Sequence, residues 1–306
     1  MTVIALDVGG TEIKGAVVAE DGAVLRSERW LTRADRGPGA VIDTVLDCAG
    51  ELADAARRAD TPPVAAGIVV PGVVDERTGT VLRAVNLGWH DVPVRSWLTE
   101  HLGLPVAFGH DVRAGGVAEA LLGAGRDSDS FLFVPVGTGI AAAVLHQGRP
   151  VTGAVGAAGE LGHLVVRPGG EHCACGNRGC LETVASAAAV ARRYARRTGR
   201  PTATAQDVHR GLRAGEEAAV RVWAEAVDAL ADGLAAATAL LDPERIVVGG
   251  GLTRAGEDLL GPLRRALAER LTFRPPPSLV RAELGHRAGS LGAALLALDL
   301  APGGAR

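Results

Sequence analysis

Apolar residues fall in short runs that end at glycine turns, separated by longer stretches with helical spacing. VIALDV (3–8) has the make-up of a buried strand and stops at Gly9-Gly10-Thr11. EIKGAVVAE follows as a second strand and, after an Asp21-Gly22 turn, AVLRSERW as a third, so the chain opens as a β-meander. Over 38–59 the apolar positions recur with a helical period: Val41, Val45, Leu46, Ala49, Leu52 and Ala53 share one face, with Cys48 as a small core residue. AAGIVVPG (65–72) is a further strand ending in a turn. The opening pattern then repeats loosely. FLFVPVG (131–137) is a strand ending at Gly137-Thr138-Gly139, IAAAVLHQG is its partner, and Gln147-Gly148 closes the pair. Residues 184–197 and 216–241 read as helices, RIVVGGG (245–251) as a strand meeting a glycine turn, then helices near 256–270 and over 289–299. The tail APGGAR (301–306) is expected to fray. A change of domain is expected near 108–115, where PVAFGHDVRAGG passes from strand to helix, with the final helix packing back on the first domain.

The length, 306 residues, suits two domains or one large one. Although 47 % of residues are apolar, no run reaches the roughly 18–20 uninterrupted apolar residues of a membrane span. Met1 to Leu6 lead straight into a strand without a charged leader region, so no signal peptide and a cytoplasmic location are expected. Net charge is −3 with no long basic run, which argues against a nucleic-acid partner. Arg192, Arg193, Arg196 and Arg197 read as the solvated face of one helix, and Lys14 is the only lysine in the chain. Three of the four cysteines lie within 173–180, and such crowding in an intracellular chain points to a metal before it points to disulfides.

In Asp7-Val8-Gly9-Gly10-Thr11-Glu12-Ile13-Lys14, the glycines let backbone N–H groups approach an anion. Thr11 adds a donor, a carboxylate such as Asp7 suits Mg²⁺ held through water, and Lys14 offsets phosphate charge. A plain hairpin would look similar, but Gly137, Thr138 and Gly139 repeat the arrangement, and two such turns suit a triphosphate clamped from both sides. Gly249, Gly250 and Gly251, between strand and helix, suit close packing on adenine and ribose, or simply a tight turn. His163, Cys173, Cys175 and Cys180 are spaced H-x9-C-x-C-x4-C, a closed Cys₃His set of the kind that binds structural Zn²⁺. Glu160 and Glu182 flank that set, where two carboxylates on a rigid frame suit the vicinal hydroxyls of a sugar. Asp111, at the end of a strand in Phe108-Gly109-His110-Asp111, is placed to take a proton from an alcohol, or to cap the helix that begins beside it.

The ordered set DVGGTEIK, PGVVD (71–75), GHD, VGTG, ELGH, CACGNRGCLE and VVGGG resembles the ROK family (repressors, open reading frames and kinases) along the whole chain. The resemblance implies an α/β protein of the actin/hexokinase-like (ribonuclease H-like) ATPase fold, with two α/β domains around a cleft. The expected domains are 1–110 plus 290–306, the smaller, and 111–289, which carries the zinc knuckle. It implies an ATP-dependent kinase acting on the 6-hydroxyl of a hexose, with ATP, Mg²⁺ and structural Zn²⁺. Asp111 matches the base, Asp7 to Lys14 and Gly137 to Gly139 the phosphate turns, and Gly249 to Gly251 the adenosine turn. Glu160, His163 and Glu182 match sugar contacts, and Asn86 lies in a segment that borders the sugar in relatives. Where the family's kinases usually have a sugar-contacting Asn before the base, this chain has His110, so the acceptor stays open among glucose, N-acetylmannosamine, N-acetylglucosamine and a cyclitol. A sugar sensor without catalysis is the reading from another class. The family's repressors carry an N-terminal helix-turn-helix, for which Asp7 comes too early. Partners are expected to be the sugar, ATP and further copies of the chain, as a homodimer or higher oligomer.

Overall fold

The structure is a computed structural model and describes residues 1–301; the rest of the tail expected to fray, 302–306, lies outside the described residues. Contacts gather the chain into two compact units. The first is Met1–Ala118, Thr152–Ala157 and the segment from His286 onward; the second is Glu119–Val151 and Ala158–Gly285. The dividing points thus fall at 118/119 and 285/286 rather than 110/111 and 289/290, and six residues from the middle of the chain group with the first unit.

In the first unit, strands β1 (Thr2–Val8), β2 (Glu12–Ala19), β3 (Val24–Leu31), β4 (Pro63–Val70) and β8 (Val106–His110) form one sheet in the order β3-β2-β1-β4-β8. The meander is antiparallel, whereas β1, β4 and β8 run parallel. Every residue of β1 is buried, and the period of two splits it between two cores. Ile4, Leu6 and Val8 face the stripe of α1 (Pro38–Arg58) that holds Val41, Val45, Cys48 and Leu52. Leu46 is only partly buried at the edge of that stripe. Val3 and Ala5 face α9 (Ala288–Leu300) through Ala293, Ala294 and Ala297. Contact with α9 is so close that a Cβ at Gly67 would stand 1.9 Å from the Ala293 carbonyl oxygen. Two features went unread in the sequence: α2 (Val94–Leu102), and a small sheet of β5 (Val73–Asp75), β6 (Thr80–Ala84) and β7 (Trp89–Val92).

The second unit repeats the plan. Strands β9 (Ser130–Pro135), β10 (Ala143–His146), β11 (Arg149–Pro150), β12 (Arg245–Gly249) and β13 (Ser278–Arg281) lie in the order β11-β10-β9-β12-β13. Two antiparallel pairings are again followed by two parallel ones. Gln147 and Gly148 both have positive φ, 52° and 70°, which suits a tight hairpin. The helix expected over 184–197 is two helices, α4 (Leu181–Ala185) and α5 (Ala187–Thr198). Ser186 divides them because its side chain accepts the Ala189 N–H (3.1 Å) and caps the second. α6 (Ala205–Arg213), also unread, starts on a capping box of Thr204 and Asp207. α7 (Glu217–Leu241) and α8 (Glu257–Arg270) complete the core, with Trp223, Leu230, Leu234, Leu259 and Leu263 buried. α3 (Asp111–Leu122) begins in the first unit and ends in the second.

Candidate active site

In the first unit the β1–β2 register sets Asp7 directly opposite Lys14, and Lys14 Nζ donates to Asp7 Oδ2 at 3.1 Å. Burial raises the Asp7 pKa; Lys14 opposes this and the nearby Asp111 adds to it. The turn between the two strands is braced from β3. Thr32, fully buried, donates through Oγ1 to the Gly9 carbonyl (2.6 Å), and its own N–H goes to the Thr11 carbonyl (3.0 Å). Gly289 lets α9 reach the same place, since a Cβ there would stand 2.5 Å from Asp7 Oδ2. Asn86 packs over Gly10, 2.9 Å from where a Cβ would be, so the structure places it against the Gly9–Thr11 turn.

Asp111 is the first residue of α3, directly after β8. Its Oδ1 accepts the Val112 N–H at 2.7 Å. Burial pushes the carboxyl up to about 6, against the pull of the Val112 N–H, Lys14 and Arg113. That value lies near neutrality, where a carboxylate can take a proton in one step and release it in the next. The α3 N-cap role, an alternative for Asp111, is shared by His110. His110 Nδ1 accepts from the N–H groups of Val112 (3.2 Å) and Arg113 (3.4 Å). The same Nδ1 lies 3.4 Å from Asp111 Oδ1, so the ring sits fixed beside the carboxylate at the start of α3.

In the second unit, Gly137, Thr138 and Gly139 form a turn closed by Gly137 N–H to the Gly139 carbonyl (3.0 Å). Glu182 supports it: its Oε2 accepts the Ile140 N–H at 2.9 Å, and a Cβ at Gly139 would strike that oxygen. The break at Ser186 serves the same turn, because it frees the Ala187 N–H to reach the Gly137 carbonyl (2.8 Å). The Gly249–Gly251 turn is sewn to this one, with Val136 N–H to Gly249 O (3.0 Å) and Leu252 N–H to Val136 O (3.1 Å). Gly250 has φ +80° and lies against the Val136 backbone, so a side chain has no room there; Gly251 faces open space.

Glu160 and His163 follow directly on this framework. Gly159 and Gly162 pack on the carbonyls of Ala142 and Ile140, with no space for a Cβ at either. His163 Nε2 lies 3.7 Å from Glu160 Oε2, while its Nδ1 lies 3.6 Å from Cys173 Sγ. Cys175 and Cys180 Sγ are 3.7 Å apart, and one ligand atom from each of the four residues falls within 4.8 Å of every other. Tetrahedral zinc would hold its sulfurs about 3.8 Å apart and sulfur to nitrogen about 3.6 Å. The four residues therefore fit the ion. Burial raises the Cys173 thiol and pushes Cys180 up to about 12, whereas the Asn177 backbone N–H lowers exposed Cys175, so an ion would have to displace the protons of the two buried thiols.

Two arginine–carboxylate networks tie this knuckle down. Arg167 pairs with Asp228 (2.6 Å) and Asp232 (2.5 Å) of α7, and both carboxylates also bind Arg270 of α8. Glu171 takes Arg192, Arg193 and Arg196 of α5. The basic helix face is thus an ion-pair partner of the knuckle as well as a solvated surface. Sequence reasoning also missed Glu76 and Arg113, which meet across 37 residues beside Asp111 without any local motif.

Comparison with known proteins identifies the family. The ROK family model matches residues 3–300. A curated glucokinase from Thermotoga maritima is 35 % identical over 311 aligned residues, covering 96 % of both chains. The solved ROK hexokinase of Thermus thermophilus superposes with a TM-score of 0.83 at 35 % identity, over 97 % of this chain and 98 % of that one. A ROK family glucokinase from Streptomyces griseus, solved with glucose and AMPPNP, superposes at 0.86 with 30 % identity, over 97 % of this chain and 99 % of that one. With the family model spanning nearly the full length and the fold in common, the chain belongs to the ROK family.

Proposed function

We propose that the protein is an ATP-dependent hexose kinase that phosphorylates the 6-hydroxyl, with glucose as its sugar. The observation that carries this reading is Asp111, a carboxyl held near neutrality at the end of β8, beside the Asp7–Lys14 pair. Asp111 orients the hydroxyl and accepts its proton as the oxygen attacks the γ-phosphorus. Backbone N–H groups of the turns at Gly9–Thr11 and Gly137–Gly139 hold the phosphates. Lys14 offsets their charge, and the Gly249–Gly251 turn, open at Gly251, takes the adenosine. Bound Mg²⁺ supplies charge neutralisation on the β- and γ-phosphates. Glu160, His163 and the second oxygen of Glu182 bind sugar hydroxyls. His163 faces Cys173 with one nitrogen and Glu160 with the other, which supports a link between zinc ligation and the sugar contact. Glucose is favoured by the glucokinase relatives.

His110, in place of the family's usual Asn, keeps N-acetylhexosamines and cyclitols as alternative acceptors. The intact base and both turns speak against a sensor without catalysis. Among the described residues no helix is long and apolar enough to cross a membrane, and we place the protein in the cytoplasm as a homo-oligomer. ADP release should be measured with glucose, N-acetylmannosamine, N-acetylglucosamine and myo-inositol. Glucose-dependent ADP release is expected; ATP turnover that no sugar stimulates would refute the kinase reading.

A further inference from the structure

Glu76, just past β5, reaches both sides of Asp111. Its Oε1 accepts the His110 backbone N–H at 3.2 Å and Arg113 Nε–H at 3.0 Å. Arg113 Nη2 lies 3.0 Å from the same oxygen, close enough to pair although not directed as a hydrogen bond. Arg113 is 3 % exposed, and its Nη1 donates to the Gly156 carbonyl at 3.0 Å. Gly156 in turn lies on β5, where a Cβ would stand 2.7 Å from the Val74 carbonyl oxygen. One carboxylate oxygen therefore fixes the residue before Asp111 by its backbone and the residue two positions after it by its side chain.

We propose that Glu76 and Arg113 are positioning residues for phosphoryl transfer, gripping the chain on both sides of the base. The inference rests on the reading of Asp111 as that base. Within its own helix the Asp111 carboxylate accepts the Val112 N–H, so its aim follows from the backbone over 110–113. That stretch is held from outside by Glu76 and from within by His110 Nδ1, which takes the N–H groups of Val112 and Arg113. A misplacement of about 1 Å at a reacting group costs on the order of 10²-fold in rate. The pair also sets the field at the base. The charged or titratable groups that face Asp111 are Lys14, Arg113, Asp7 and the His110 ring at 3.4 Å, and Glu76 stands behind Arg113 and partly neutralises it.

The test is steady-state kinetics from pH 5 to 9 on the full chain and on Glu76→Ala, Glu76→Gln and Arg113→Gln, with thermal unfolding alongside. Glu76→Ala should lower kcat by about 10- to 100-fold while KM for ATP moves less than about threefold. Glu76→Gln keeps an acceptor for both partners, so kcat should stay within about threefold. Its acid limb should move to lower pH, because Arg113 is no longer neutralised. Arg113→Gln should move that limb to higher pH. A purely structural pair would not shift the limbs in opposite directions. A kcat for Glu76→Ala within about threefold of the unsubstituted protein overturns the inference. So do limbs that stay in place or move together, which decides the matter if Glu76→Ala does not fold. An unsubstituted protein without sugar-dependent ADP release removes the kinase reading and this inference with it, whereas an active one with an unaffected Glu76→Ala removes the inference alone.

Discussion

Replacing Asp111 with Asn should make the protein slower and, at neutral pH, more stable. Asn keeps the shape and can still accept the Val112 N–H, but it cannot take a proton. General-base contributions run at about 10²–10⁴-fold, so kcat should fall by that much with KM nearly unchanged. The stability change follows from the carboxyl's displacement from 3.8 to about 6. A displacement of that size corresponds to roughly 3 kcal/mol against the charged form. This is a ceiling, because the side chain is 26 % exposed and water relieves part of the cost. A net gain of about 1–2 kcal/mol in Asp111→Asn is expected, or about 2–8 °C in Tm. The sign fixes the pH window. Below the ordinary value of 3.8 the carboxyl is protonated whether folded or unfolded, and its stabilising contribution is complete. That contribution is lost as pH rises through about 6, where the folded protein must also ionise. The Tm gap between variant and unsubstituted protein should therefore open between about pH 4 and pH 6 and stay level above. Melting curves at half-unit pH steps, read beside kcat, check both parts. A gap independent of pH would refute the burial argument, and a variant less stable at neutral pH would mean that Lys14 and the helix end more than repay the desolvation.

Elemental analysis should give one zinc per chain for the unsubstituted protein and none for Cys175→Ser. ATP binding should survive while sugar affinity falls steeply in calorimetric titrations; normal sugar affinity without metal would separate the knuckle from the sugar. The tethers at Arg167 and Glu171 confine the loosening to the tip between Cys173 and Arg178, which limited proteolysis can map. Gly250→Ala, strained at φ +80° against Val136, should cost about 2–4 kcal/mol in denaturant unfolding. Gly251→Ala, in open space, should stay within about 0.5 kcal/mol but raise KM for ATP. Glu182→Ala leaves the Ile140 N–H without its carboxylate and should raise KM for ATP as well as for sugar, whereas Glu182→Gln should affect the sugar more. His110→Asn should change the ranking of sugars by kcat/KM while α3 stays capped; an unchanged ranking would remove position 110 from substrate choice.

What could be read from the chain depended on how local the cause was. β1, β4, β9 and β12 are apolar runs bounded by glycine turns, and α1 and α7 carry long periodic stripes, so each announces itself over its own length. The Cys₃His set was legible because metal ligation imposes spacing. The three strands β5 to β7 are only three to five residues long, too short for alternation to stand out. α6 buries little besides Val208, although its Thr204–Asp207 capping box was a readable signal. The break at Ser186 lies in a run of alanines that favours one continuous helix; beside the Ser186 cap, the Ala187 N–H is drawn off to the Gly137 carbonyl, far away in sequence. Glu182 is of the same kind: the motif marked it as a sugar contact, and only the folded chain brings its carboxylate to the Ile140 N–H. Glu76 and Arg113 carry no local signature, since a pairing across sequence leaves no period to detect.

Lys14, paired with Asp7 on the first turn, has a consequence outside catalysis. Every other basic side chain is an arginine or a histidine, so the molecule offers amine chemistry only at Lys14 and at the N-terminus. Guanidinium groups do not react with acylating or reductive-alkylating reagents at neutral pH, and the Lys14 side chain is 28 % exposed, within reach of a small reagent. One acetyl or methyl label at that position would report on the Gly9–Thr11 turn without a background from the rest of the surface. Isotope-labelled methyl groups on Lys14 would give a single side-chain resonance in a chain of 306 residues, a spectroscopic reporter of the Asp7–Lys14 pair that the sequence has already installed.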